Sequence, residues 1–272
     1  MEEIKLKGIV IKADDYKDSD KLVTIFSAEK GLIRARARGV KKSKAKLRFA
    51  VQPFAFIDFM LIEKDGFYTI INASSIDQFF NITNDFDNYI FMIACLEVVQ
   101  KTVKENENQV DLFLLLLNSL KLVAYENVSS INVVIKFMIE AMGHLGFSFM
   151  FDKCACCDNK LNENNVGFSY DYNGLLCPKC KSKFDSLELN KVEFAILKNL
   201  SSVDIQRIST LHFPSRNDKI SVVSLLIKVF RLLTDEEILT IKQFLWLILT
   251  TFIYEIIINL LLEVLKWLFK IS

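Results

Sequence analysis

The sequence predicts an α+β protein, with an N-terminal OB-fold β-barrel followed by an all-helical domain that carries a four-cysteine insert. Three observations support this prediction. The N-terminal part consists of short β-type segments separated by turn residues. The remainder shows apolar residues at helical spacing, and four of the six cysteines form two C-x2-C pairs. We assign residues 1–78 to the barrel and 79–272 to the helical domain, with the insert at about 150–185.

Five short strands predict the barrel: residues 4–12, 21–27, 32–38, 53–62 and 67–73. Each is rich in β-branched or aromatic residues and is bounded by turn signals such as Glu29-Lys30-Gly31 and Lys64-Asp65-Gly66. Five strands with little helix between them match an OB-type barrel, a fold that often binds oligonucleotides. Periodicity alone permits an SH3-like barrel equally well.

The helical domain is predicted from apolar spacing that begins after about Phe79. Polar linkers separate the expected helices, which are Asp85–Gln100, Asp111–Ala124, Asn132–Leu145, about 187–200 and about 218–233. A last helix is expected to begin near Thr234, where Thr234 and Glu237 have the spacing of a capping box.

Composition limits the class of protein and its compartment. Hydrophobic residues make up 51% of the chain, with only 8 Gly and 3 Pro, which excludes disordered and collagen-like classes. The acidic start Met1-Glu2-Glu3 does not resemble a signal peptide. We therefore expect a reducing, intracellular compartment, where clustered cysteines are more often metal ligands than disulfides.

Basic charge is concentrated in one segment, although the formal net charge of the whole chain is only +1. From Lys30 to Arg48 there are nine basic residues and no acidic one. Arg34, Arg36 and Arg38 alternate with apolar residues, so on a strand all three point to one face. Clustered charge on one face is typical of nucleic-acid binding, whereas the alternative is an ordinary solvated strand.

The cysteines Cys154, Cys157, Cys177 and Cys180 form C-x2-C-x19-C-x2-C, a spacing typical of a four-thiolate zinc site. A closed site of this kind leaves no open position for a substrate, so the predicted zinc ion is structural. Cys156 competes with Cys157 for one coordination position, and the C-x2-C rule favours Cys157. A redox role for one C-x-x-C pair is the other interpretation, but neither pair has a βαβ context.

Motifs for catalysis are missing from the sequence. It contains no Walker A motif and no G-x-G-x-x-G, and its two histidines have no adjacent nucleophile motif. We therefore expect a binding protein that is not an enzyme and has no small-molecule substrate. Phe54, Phe56, Phe59, Phe67 and Tyr68 lie on predicted strands, where they can stack on bases, but barrel core is the expected place for most of them.

Several short motifs, spread over most of the chain, resemble the bacterial recombination mediator RecO family. In the N-terminal part these are Gly8-Ile9-Val10-Ile11, Tyr16 to Val23, Phe26, Gly31, Arg38-Gly39-Val40-Lys41-Lys42-Ser43-Lys44 and Pro53-Phe54. Further on they are Leu96-Glu97, Leu112-Phe113, Gly146, Cys154, Cys157, Phe168-Ser169, Gly174, Cys177 and Cys180.

The resemblance implies a cytoplasmic, nucleoid-associated DNA repair factor that binds single- and double-stranded DNA and anneals complementary strands. It implies RecR and single-stranded-DNA-binding protein (SSB) as partners, in a process that helps to load the recombinase RecA, and it leaves open whether RecF participates. The DNA-contacting role then falls on the basic segment, at Arg34, Arg36, Arg38, Lys41, Lys42, Lys44, Lys46 and Arg48.

Two rival interpretations belong to other classes. A zinc-dependent nucleic-acid hydrolase requires an open metal site with histidine or carboxylate ligands, which the sequence does not show. A membrane-tethered adaptor is suggested by the almost entirely apolar segment Phe244–Phe269, which departs from the shorter and more basic ending of RecO proteins. Its polar residues recur every four positions, and Glu255 and Glu263 are costly inside a bilayer, so we favour a buried helix.

Overall fold

The computed structural model describes residues 2–105, 107–162, 165–213 and 215–246. The predicted fold class is confirmed, since a closed five-stranded barrel is followed by helices and a small cysteine-bearing sheet. The barrel strands are β1 (Glu2–Tyr16), β2 (Asp20–Ser27), β3 (Gly31–Ala37), β4 (Phe56–Lys64) and β5 (Phe67–Asp77). The helices are α1 (Phe86–Thr102), α2 (Val110–Tyr125), α3 (Ser130–His144), α4 (Pro178–Lys181), α5 (Lys191–Ser202) and α6 (Arg216–Thr234). The small sheet has strands β6 (Val166–Ser169), β7 (Gly174–Leu176) and β8 (Leu187–Leu189).

The order of the barrel strands is β1-β2-β3-β5-β4, and all neighbours are antiparallel except β3 and β5. This topology is OB-like, which decides between the two barrels that the periodicity permits. Val10, Val23, Ala35 and Ile57 are among the residues that fill the interior. The alternation is clearest in β3, where buried Ala35 lies between exposed Arg34 and partly exposed Arg36, because successive residues of a strand point to opposite faces.

The barrel packs directly against the helices and is hydrogen-bonded to the loop between α1 and α2. Phe26 of β2 packs edge-on against Phe113 of α2, with ring centroids 5.5 Å apart. The backbone N–H of Leu32 donates to the carbonyl of Lys104 (3.3 Å), and that of Gln109 donates to the carbonyl of Ala28 (2.8 Å). The turn before β3 is therefore attached to the loop between α1 and α2.

Three local predictions are wrong, each for an identifiable reason. Residues 53–55 are not part of β4, because Phe54 has a left-handed backbone (φ 72°) and its ring is buried against Tyr89 of α1. The helix expected from residue 187 begins at Lys191, after strand β8, where Asn190 and Glu193 form a capping box. The capping box expected at Thr234 and Glu237 does not form.

Thr234 is instead the last residue of α6, where its hydroxyl donates to the Phe230 carbonyl (2.8 Å). Residues 239–246 are helical. The backbone N–H groups at the start of this helix are capped by a side chain from another element. Both carboxylate oxygens of Glu97 in α1 accept hydrogen bonds, from Leu239 N–H (2.8 Å) and Thr240 N–H (3.0 Å). A carboxylate is stabilising there because it satisfies unpaired donors at the positive end of the helix.

Across the described part of the chain, no helix combines the length and apolar character that a membrane span requires. The predicted apolar helix Phe244–Phe269 lies outside the described residues beyond Trp246.

Candidate metal centre and nucleic-acid interface

The sulfur atoms of Cys154, Cys157, Cys177 and Cys180 lie within 4.8 Å of one another. The two pairs meet at β7, since Ala155 of the first pair's turn is hydrogen-bonded to Leu175 and Cys177 directly follows this strand. The Cys157 and Cys177 sulfurs are 3.8 Å apart. This distance is the edge of a tetrahedron of sulfurs around an ion with Zn–S bonds of about 2.3 Å. The donor set and its spacing therefore fit a tetrahedral metal ion.

Backbone hydrogen bonds shape each half of the cluster. Ala155 N–H donates to the Leu175 carbonyl (2.8 Å) and ties the first pair to β7. Cys177 N–H donates to the Cys154 sulfur (3.3 Å). Burial raises the pKa of Cys154, but N–H groups of Cys177, Cys156 and Cys157 outweigh it and lower that pKa to about 6. A lowered pKa favours the thiolate, which is the form that binds metal.

The two remaining cysteines do not belong to this group. Cys156 is half-buried, and its sulfur is not among the four that lie within 4.8 Å of one another. Cys95 is fully buried in α1, where desolvation raises the pKa of its thiol. It packs as a core residue of the helical domain.

The two arginines of β3 and Arg38, which directly follows it, form an outward-facing row. Ala35 and Ala37 are completely buried in the barrel, while Arg34 and Arg38 are exposed and Arg36 is partly exposed. The row continues into the loop that follows β3, where Lys42, Lys44 and Lys46 are all exposed. We call this surface, made of Arg34, Arg36, Arg38, Lys41, Lys42, Lys44, Lys46 and Arg48, the basic face.

Three members of the basic face are engaged within the protein. Arg36 pairs with Asp20 (Nη2–Oδ2 2.5 Å), and Lys41 pairs with Asp15 (2.9 Å). Arg48 donates to the Lys42 carbonyl (3.1 Å) and so holds the loop. The other five members, Arg34, Arg38, Lys42, Lys44 and Lys46, form no ion pair with any residue that the structure describes.

Asp20 organises the start of the basic loop. Its side chain is buried and accepts hydrogen bonds from Gly39 N–H (2.8 Å) and Arg36 Nε (2.6 Å). These donors, Gly39 first and then Arg36, lower the pKa of Asp20 to about 2 from its ordinary 3.8. Asp20 on β2 thereby joins β3 to the loop beyond it.

We expect Asp20 to make unfolding pH-dependent in a narrow acidic range. Because its folded-state pKa is below the ordinary value, its stabilisation is present above about pH 4 and is lost as the pH falls towards 2. Asp20→Asn should lower the melting temperature at pH 7 and flatten the pH dependence between pH 4 and 2. Thermal unfolding across that range checks this, with exposed Asp18→Asn as the control. An unchanged pH profile in Asp20→Asn would contradict the assignment.

A groove of about 660 Å³ lies beside the arginine row. Its lining includes Tyr16, Thr69 and Glu105 in addition to the arginines and Phe67. Of the aromatic residues considered as stacking groups, Phe54 and Phe59 are buried core, whereas Phe67 is 78% exposed. Nothing in the sequence singles out Thr69 or Glu105, because they reach the groove only through the pairing of β5 with β3 and the position of the α1–α2 loop.

Comparison with known proteins agrees with these features. Residues 1–79 match the family model described as recombination protein O N terminal, and residues 83–221 match the corresponding C-terminal model. A DNA repair protein RecO from Clostridium perfringens is 29% identical over 208 residues, which cover 76% of this chain and 84% of the relative. One from Caldicellulosiruptor saccharolyticus is 30% identical over 212 residues, covering 78% and 85%. The resemblance predicted from the motifs is confirmed, and the chain belongs to the recombination protein O (RecO) family of DNA repair proteins.

Proposed function

We propose that this protein is a non-enzymatic mediator of recombinational repair that binds single- and double-stranded DNA and anneals complementary strands. The observation that carries the proposal is the basic face. Five of its cations are not neutralised by any described carboxylate, and they follow one another along an OB-like barrel in a chain of net charge +1. Such a track attracts phosphates independently of base sequence.

Annealing needs no bond chemistry from the protein. Two strands repel each other through their phosphates, and cations that bind both release counterions and raise the local concentration of each strand. The members of the basic face that are already bonded within the protein have a different role. Arg36, Lys41 and Arg48 shape the loop, while Arg34, Arg38, Lys42, Lys44 and Lys46 are the expected phosphate contacts.

We further propose that Cys154, Cys157, Cys177 and Cys180 hold one structural Zn²⁺. Four thiolates complete a tetrahedral shell and leave no position for a water or substrate. The cluster therefore gives no support to the rival zinc-dependent hydrolase, which requires an open coordination position. When bound, the ion cross-links the insert and takes part in no reaction.

The partners are proposed from family membership. RecO proteins act with RecR and on SSB-coated strands, so we propose that this chain helps to load a RecA-type recombinase and acts alongside RecF. The basic face supports the DNA part of this proposal. The relatives named above are DNA repair proteins, which supports the pathway.

Annealing of two complementary oligonucleotides, free and SSB-coated, across a salt series without added nucleotide tests the proposal. We expect salt-sensitive annealing that persists on coated strands. Absence of DNA binding at low salt would refute the proposal, and binding without annealing would refute its mediator part.

The loop lysines provide a sharper variant test. Replacing Lys42, Lys44 and Lys46 by alanine should weaken binding to all DNA sequences. It should also reduce the slope of log affinity against log salt by about 2 on single strands, since each lost contact contributes about 0.7. The control removes the same charge elsewhere, at exposed Lys5, Lys7 and Lys121. Equal losses in both triple variants would show that charge location does not matter, contrary to the basic-face assignment.

A further inference from the structure

We propose that Phe67 is a stacking platform for an unpaired base, so that the groove beside β3 selects single-stranded over double-stranded nucleic acid. This inference rests on the proposed DNA-binding function of the basic face. It assigns to one uncharged residue a specificity that the cations cannot supply, because phosphates are present in both forms of the ligand.

Phe67 lies at the tip of a hairpin, directly after its two-residue turn. Asp65 and Gly66 both have positive φ (52° and 76°), as a two-residue type I′ turn requires. Lys64 and Phe67 are the paired residues that flank this turn. The ring is 78% exposed although burial of a Phe side chain is favourable, and its position is set by the hairpin rather than by a flexible loop.

The pairing of β3 with β5 places Phe67 on the same outward face as the arginines. Ala35 pairs with Tyr68 and Arg36 with Thr69 in parallel register. Ile70 is buried in the barrel, so Phe67 and Thr69 point to the opposite, outer face. Arg34, Arg38 and Phe67 all line the same groove. Phosphates bound along the arginine row therefore leave their bases within reach of an aromatic ring.

Phe67 is the most exposed of the three aromatic rings that line this groove, since it is 78% exposed, Tyr16 is 39% exposed and Tyr68 is only partly exposed. Tyr16 also lines it, but the Arg36 guanidinium lies 5.5 Å from the centre of the Tyr16 ring and is itself fixed by Asp20. Glu105 lines the groove from the helical domain, and its negative charge disfavours a phosphate there.

Stacking on Phe67 requires a free base face. In a duplex both faces of each base are covered by neighbouring base pairs, whereas in a single strand a base can be turned out onto an aromatic side chain. Stacking on an aromatic ring tolerates any base, which suits a protein that acts on strands of arbitrary sequence.

The test compares three ligands of equal length by fluorescence anisotropy with the full chain: oligothymidine, a duplex, and a strand made of abasic deoxyribose phosphates. Phe67→Ala should weaken oligothymidine binding roughly ten-fold, with the duplex and the abasic strand unaffected. Its salt slope should stay unchanged, because no charge is removed. Phe67→Trp should retain binding, and Phe80→Ala, at a Phe that is 66% exposed but outside the groove lining, should behave as wild type.

Equal loss on all three ligands, or no loss on oligothymidine, would overturn the stacking role while leaving the basic face intact. Failure of the unaltered protein to bind any of the three at low salt would instead remove the underlying DNA-binding proposal.

Discussion

Replacing Cys180 by serine is expected to abolish stoichiometric metal binding and to unfold the segment of about residues 150–185. Strands β6 and β7 of this segment and the adjoining β8 have only 4, 3 and 3 residues, too few for a sheet to be stable without further support. Structural zinc sites contribute apparent binding free energies of about 10–16 kcal/mol in small zinc-binding peptides, which exceeds the net stability of many whole domains. Loss of one thiolate removes most of that contribution.

The effect should extend beyond the insert. Phe168 of β6 packs against Phe149 (5.8 Å between ring centroids), and Phe151 packs against Phe194 of α5 (5.8 Å). These aromatic rings belong to or pack against the core of the helical domain. An unfolded insert would therefore expose part of that core, and a lower melting temperature of the helical domain should accompany loss of the metal.

Elemental analysis of the purified protein, followed by thermal unfolding with and without a chelator, measures both effects. Cys156→Ser is the matched control, because it changes a thiol of the same knuckle that lies outside the cluster. It should retain one metal ion and the wild-type melting temperature. Full zinc in Cys180→Ser would refute the four-thiolate site. Full zinc in Cys154→Ser would instead identify Cys156 as a ligand.

Gly31→Ala is the second substitution with a large expected effect, because it acts where the barrel meets the helical domain. Gly31 has φ 60°, and an added Cβ would lie 2.9 Å from the Glu107 carbonyl oxygen and closer still to that of Lys104. Both obstacles are backbone atoms, which do not move aside as a flexible side chain does. A left-handed alanine costs about 1–2 kcal/mol, and overpacking adds about 1–3 kcal/mol.

We therefore expect Gly31→Ala to lower the free energy of unfolding by about 2–5 kcal/mol. Gly66→Ala is the matched control, since Gly66 also has positive φ (76°) but has open space around its Cα. The free energy of unfolding of Gly66→Ala should fall only by the backbone cost of about 1–2 kcal/mol. Chemical denaturation of both variants checks the comparison. Equal destabilisation of the two variants would mean that the close approach of Gly31 to the α1–α2 loop adds no steric cost.

Features that depend on neighbouring residues could be predicted from the amino-acid sequence. The Asp65-Gly66 turn follows from local backbone preference, and the alternation of Arg34, Arg36 and Arg38 with alanines follows from the two-residue period of a strand. The C-x2-C spacing likewise identified the two halves of the cysteine cluster. These signals were enough to predict an α+β protein with a barrel, helices and a metal-type insert.

Tertiary structure decided which of these residues are available and where elements begin. Arg36 is engaged because Asp20, distant in sequence, lies beside it on the neighbouring strand. The helix at 239–246 is capped by Glu97 from α1, so the local capping signal at Thr234 was misleading. Phe54 and Phe67 are both strand-type aromatics in the sequence, yet one is buried and the other is exposed.

The physical reason is the same in each of these cases. Local patterns report backbone propensity and which face of an element a side chain occupies. Burial, ion pairing and capping by distant groups depend on which elements the fold brings into contact, and that is set only when the barrel closes and docks on the helices.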